Sequence, residues 1–145
     1  MRWTLLVCLC CFAAGVEAGD VGQIKAATGS VFVERQGKRL PATVGMPVQE
    51  SDSLITGADG SAGVTFSDNS LLSVGPSSVL AIERYAFDST TYNGHFDASL
   101  KKGTLAVISG KIVKHSPEAM RVRTPSAIMG VRGTEFVVKV TEPGS

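Results

Sequence analysis

The chain has 145 residues, of which 43% are hydrophobic and 19% charged, and 14 Lys and Arg against 13 Asp and Glu leave a formal net charge of +1. A chain of this length supports one domain and excludes a second sizeable core. A balance so close to neutral carries no electrostatic footprint for nucleic acid.

At the N-terminus Arg2 precedes an apolar run containing Leu5, Leu6, Val7, Leu9 and Phe12, which gives way to Ala14-Gly15-Val16-Glu17-Ala18. This order of charge, apolar run and small residues predicts a secretory signal peptide over residues 1–18, cut after Ala18. The apolar run is shorter than a membrane-spanning helix requires. All three cysteines, Cys8, Cys10 and Cys11, fall inside it, so the mature domain is expected to form no disulfide. No second cysteine pair or nearby histidine completes a metal site with them. Leu6-Val7 before Cys8 lacks the small residue a lipid attachment site needs. The expected location is periplasmic or secreted, and soluble.

From Val21 onward the apolar residues come in short groups divided by glycine or polar turns, a β pattern. Val31, Phe32 and Val33 precede Gln36-Gly37, a tight reversal into Leu40, so a hairpin is expected there. A block from Val48 to Ile55 leads into Thr56-Gly57-Ala58-Asp59-Gly60, where the glycines are expected to supply backbone angles that β-branched residues resist. Ala62, Val64 and Phe66 then alternate with Ser61, Gly63 and Thr65, which places the first set on one buried face.

Ser67-Asp68-Asn69-Ser70 and Gly75-Pro76-Ser77-Ser78 read as turns on either side of a short strand at residues 71–74. Residues 88–95 read as a polar, mobile loop, after which the sheet resumes near Phe96. Lys101-Lys102-Gly103 reads as a turn, and Gly110, between residues 105–108 and Ile112-Val113, as the centre of another hairpin. Met120, Val122 and Thr124 alternate with Arg121 and Arg123, apolar against solvated. Phe136, Val138 and Val140 share one parity near the end, with Phe136 as the expected core anchor. The whole predicts a single all-β domain over residues 21–140, built from short antiparallel, turn-linked strands, and a tail at residues 141–145. A two-sheet sandwich and a β-roll or solenoid fit the pattern equally.

Two blocks carry a family resemblance. The first runs over residues 56–78 through Gly60-Ser61-Ala62-Gly63-Val64-Thr65-Phe66-Ser67-Asp68-Asn69-Ser70. The second runs over residues 124–140, with Thr124-Pro125 and Gly130-Val131-Arg132-Gly133-Thr134-Glu135-Phe136. Together they resemble the FecR domain family, over roughly residues 50–140. Members of this family occur in iron-uptake signalling regulators, where an exported region relays the state of an outer-membrane receptor, and similar domains occur in other exported proteins. The resemblance implies an exported domain of this family and does not by itself make the chain an iron regulator. The chain departs from the transmembrane regulator pattern in showing only a short export segment, so direct contact with a sigma factor is not expected.

For function, the residues point to recognition without turnover. No nucleophile, base and oxyanion group are set out in a recognisable motif, and Gly130-Val131-Arg132-Gly133 lacks the lysine and serine of a nucleotide loop. Asp59, Asp68 and Asn69 lack calcium-loop spacing, and His95 and His115 have no metal-ligand spacing. No catalytic, metal or cofactor site is therefore assigned. Tyr92, in the polar loop, and Arg132, between Gly130 and Gly133, are the candidate partner contacts. Gly57, Gly60, Phe66, Pro125, Gly130, Gly133 and Phe136 are assigned turn or core roles. The expected partner is an envelope protein, with a cell-wall or other polysaccharide as the alternative.

Overall fold

A computed structural model describes residues 19–130 and 135–140. The expected signal peptide, Arg132 and Gly133, and the expected tail lie outside the described residues. The strands are β1 (Asp20–Thr28), β2 (Val31–Arg35), β3 (Lys38–Pro41), β4 (Pro47–Gln49), β5 (Ser53–Thr56), β6 (Ser61–Phe66), β7 (Leu71–Val74), β8 (Val79–Phe87) and β9 (Gly94–Ile108). A short helix α1 (Lys111–His115) and a 3-10 turn (Pro117–Ala119) lead to β10 (Met120–Arg123), β11 (Ile128–Gly130) and β12 (Glu135–Val140).

The fold is all-β. Twelve strands join in one sheet whose main path is β3-β2-β5-β8-β9-β7-β6-β1-β4, with β10 and β12 also on β9 and β11 on β10. The sheet curls into a half-barrel around one core. The pivot is β9: its first part, from Gly94 to Lys102, pairs with β8, and its last part, from Leu105 to Ile108, pairs with β7. The strands therefore do not stack as successive coils. Among the described residues all pairings are antiparallel except β9 with β10, which run parallel from Phe96↔Met120 to Ser99↔Arg123. The connection through α1 makes this possible, since a parallel neighbour needs a crossover rather than a tight turn.

The pivot corrects one sequence expectation. Lys101-Lys102-Gly103 does not end a strand; β9 runs through it and bends at Gly103, whose φ is +93°. A side chain there would meet left-handed backbone strain and would overlap the Ser78 hydroxyl and backbone. The hairpin expected around Gly110 is also absent from the described residues. Ile112 and Val113 instead lie on α1, buried at 1% and 4% exposure. A five-residue helix is too short to display a periodicity that separates it from a strand.

Other expectations hold. Gln36 and Gly37 both take positive φ, 52° and 76°, the conformation of a tight hairpin turn, and join β2 to β3 in register Arg35↔Lys38. Ala62, Val64 and Phe66 are buried together. Phe66, Tyr85 and Phe96 form an aromatic trio with centroid separations of 5.4, 4.6 and 5.0 Å, edge-on or tilted contacts that add to their area burial.

A second clamp closes the sheet near its open ends. Arg35 on β2 donates from Nε to Asp52 Oδ1 at 2.9 Å and from Nη2 to Oδ2 at 2.7 Å. Asp52 is 1% exposed, and Gln49 N–H donates to its Oδ2 at 2.9 Å. Arg35 Nη2 also reaches the Pro47 carbonyl at 3.1 Å, so one guanidinium ties β2 to the β4 edge.

Candidate recognition site

Tyr92 sits at the tip of the loop between β8 and β9, 45% exposed. Its φ is +61°, a conformation that is unusual for a bulky side chain. The loop expected to be mobile is tied down by its own hydrogen bonds. Asp88 Oδ1 accepts from the N–H groups of Thr90 at 2.8 Å and Thr91 at 3.4 Å. These two donors hold the Asp88 carboxyl below its usual pKa range. Tyr92 N–H donates to the Asp88 carbonyl at 2.8 Å, and Asp88 N–H to the Asn93 carbonyl at 2.8 Å. The strained residue is thus fixed from both sides.

The Tyr92 ring lies nearly parallel to that of Phe87, with centroids 6.3 Å apart and planes 9° from parallel. Lys111 Nζ stands 5.5 Å from the Tyr92 centroid, within cation–π range. His115 Nε2 lies 3.0 Å from Asn93 Oδ1. Helix α1 therefore delivers a cation and an imidazole to the aromatic loop. A shallow concavity of about 360 Å³ is lined by Phe87 together with Val21, Glu50, Ser67 and Ala86.

What places α1 there is Asp68, fully buried in the turn between β6 and β7. Its Oδ1 accepts from the Tyr85 hydroxyl at 3.0 Å and from Ser70 N–H at 3.2 Å. Its Oδ2 accepts from the Ser70 hydroxyl at 2.6 Å and from Ile112 N–H, the second residue of α1, at 3.3 Å. Lys111 N–H donates to the Asp68 carbonyl at 2.8 Å, and Asp68 N–H donates back to the Tyr85 oxygen at 3.0 Å. Burial, then the neighbouring Asp68 charge, drives the Tyr85 pKa well above the usual phenol value. Tyr85 stays protonated and keeps donating. A buried carboxyl group that accepts from this many donors has its oxygens satisfied, and it acts here as a joint between turn, strand and helix.

The remaining sequence candidates are dispersed. Gly57 and Gly60 are not in the left-handed region; they close the turn after β5 because Ser30 packs against them, and a Cβ on Gly60 would overlap the Ser30 carbonyl. Close approach, not backbone angle, is their reason. Pro125 occupies the second position of the turn from Thr124 to Ala127, closed by Ala127 N–H to the Thr124 carbonyl at 3.4 Å, a position that suits proline. Gly130 ends β11 in open space. Phe136 is half-buried against the core, and Val138 on the same face is the buried residue of β12, at 5% exposure. Among the described residues no group of three His, Cys, Asp or Glu is placed to hold a metal ion. Likewise no helix there is long and apolar enough to cross a membrane.

Lys111 and Asp68 are the residues that sequence reasoning did not connect to Tyr92. Asp88 followed by Thr90-Thr91 is a readable turn signal. The approach of Lys111 depends on a helix docked by a carboxylate 44 residues from its Ile112 partner, and no local pattern encodes that.

The family model described as FecR protein matches residues 52–145, well over half of the chain. The chain belongs to the FecR family. Neither the curated proteins nor the solved structures yield a match. The match begins at Asp52, yet strands β1 to β4 lie in the same sheet as the matched strands, β1 on β6 and β2 on β5. The FecR folding unit in this chain therefore extends upstream of the matched segment, with Arg35 gripping the first matched residue. FecR family domains are typically periplasmic and non-catalytic.

Proposed function

We propose that this FecR domain is an exported recognition module that binds an envelope protein through the Tyr92 loop, without turnover. The observation that carries this reading is an exposed tyrosine held at positive φ by a closed hydrogen-bond ring, with Phe87 and Lys111 fixing its ring. Backbone strain at an exposed, over-determined residue points to a contact it serves, and aromatic anchors dominate protein interfaces. Pre-ordering of the loop lowers the entropy lost on association. Export by residues 1–18 delivers the domain to the periplasm, and Arg132, chosen from the sequence, is a second candidate contact.

The test is a crosslinking pull-down from intact envelope with wild-type protein, Tyr92→Gly and Arg132→Ala, with purified peptidoglycan and polysaccharide assayed in parallel. A discrete protein partner that is lost with Tyr92→Gly, while the circular dichroism spectrum is kept, supports the reading. Saturable binding to purified polymer that is lost with the same variant replaces the protein partner by a glycan. A partner retained by both variants overturns the residue assignment.

A further inference from the structure

Among the described residues four strands, β3, β4, β11 and β12, pair on one side alone, and three of them are guarded. β3 is short and carries Lys38, Arg39 and Pro41; β4 has three residues and begins with Pro47; β11 has three residues. Short length, charge and proline are the devices that keep an edge from pairing with another chain. β12 uses none of them fully. It pairs six residues with β9 in unbroken register, from Glu135↔Ile108 to Val140↔Gly103, and among the described residues no strand lies on its other side. It has no proline, no bulge and no charge on its inward face. Val137 on its outer face is 65% exposed, and Ile108, opposite Glu135 on the same face, is 42% exposed. On the inner face Phe136 and Val140 pack against the core but remain half-open.

The order of side chains says what fits this edge. Glu135, Val137 and Lys139 occupy the outer face, an acid and a base placed symmetrically about a valine. We propose that β12 is a self-association edge, on which a second copy of this chain lays its own β12 antiparallel about a two-fold axis through Val137. That register sets Glu135 opposite Lys139 of the second copy twice over, Val137 opposite itself, and Phe136 opposite Val138. An axis perpendicular to the sheet keeps inner faces with inner faces, so the half-open Phe136 of each copy gains an apolar cover. Moving the axis by one residue toward the C-terminus puts Lys139 opposite Val137 and loses both charge pairs. The contact is isologous and closes at two copies, and it is independent of the Tyr92 reading.

The experiment is sedimentation velocity of the full chain over a concentration series under reducing conditions, which keeps Cys8, Cys10 and Cys11 as thiols. Wild-type protein is expected to show a monomer–dimer equilibrium. Lys139→Glu or Glu135→Lys alone sets like charges opposite one another at two symmetric places, and each is expected to weaken the dimer by about tenfold. The double variant Glu135→Lys with Lys139→Glu restores opposite charges and is expected to return to within about threefold of wild type. Both replaced positions, 135 and 139, are exposed, and thermal melts verify that each variant is folded. Val137→Lys, which places two ammonium groups on the axis, supplies a further disruption. A wild-type chain that stays monomeric, a dimer indifferent to the single reversals, or a double variant that fails to recover overturns the proposal.

Discussion

Gly103 shows how one residue can decide a topology. The positive φ and the Ser78 hydroxyl packed where a Cβ would stand allow β9 to leave β8 and join β7 without a break. Gly103→Ala is expected to cost about 3 kcal/mol or more, from left-handed strain plus overpacking, read as a shifted urea midpoint. A loss below about 1 kcal/mol would show that the bend does not depend on glycine. Tyr92 is the opposite case. Tyr92→Gly relieves backbone strain of about 1 kcal/mol and forfeits an aromatic contact of similar size. Its stability is therefore expected to stay within about 1 kcal/mol of wild type while partner capture is lost. A large destabilisation would mean that Tyr92 is a folding residue rather than a contact.

The elements are joined by buried polar groups as well as by apolar faces. Asp52 is buried and held by Nε and Nη2 of Arg35, so Arg35→Met is expected to cost about 3 kcal/mol by stranding the carboxylate, measured by chemical denaturation. Asp68→Ala removes the acceptor for Ile112 N–H and the Tyr85 hydroxyl. It is expected to speed amide exchange at Ile112 ahead of the core strands, because α1 loses its tether. Uniform protection across α1 and β6 would contradict this. The hairpin at Gln36-Gly37, the alternation of β6 and the turn at Asp68 were all legible in the sequence, because each is encoded within a few residues. Helix α1, the parallel pairing of β9 with β10, and the continuity of β9 were not. They depend on contacts between distant segments, such as Asp68 with Ile112 and Gly103 with Ser78. The candidate site was legible at Tyr92 and illegible at Lys111 for the same reason.

For the whole molecule, the curled sheet puts Phe66, Tyr85 and Phe96 at the centre of one core with a phenol–carboxylate bond built into it. The folded state holds the Tyr85 proton more tightly than the unfolded chain. Stability from this group is complete below the unfolded phenol pKa of about 10 and is lost as pH rises beyond it. Thermal midpoints are expected to fall with increasing pH above about 10, and Tyr85→Phe is expected to flatten that slope. An unchanged slope in the variant would place the alkaline sensitivity elsewhere.

The same frame presents the ordered Tyr92 loop, where we place recognition of an envelope partner. A photo-crosslinking aromatic amino acid placed at position 92, with a second placed at Val44 as an equally apolar exposed control, tests it in intact envelope. A discrete protein adduct is expected from position 92 and is not expected from the Val44 probe. Adducts that are absent at position 92, or the same from both positions, would contradict it.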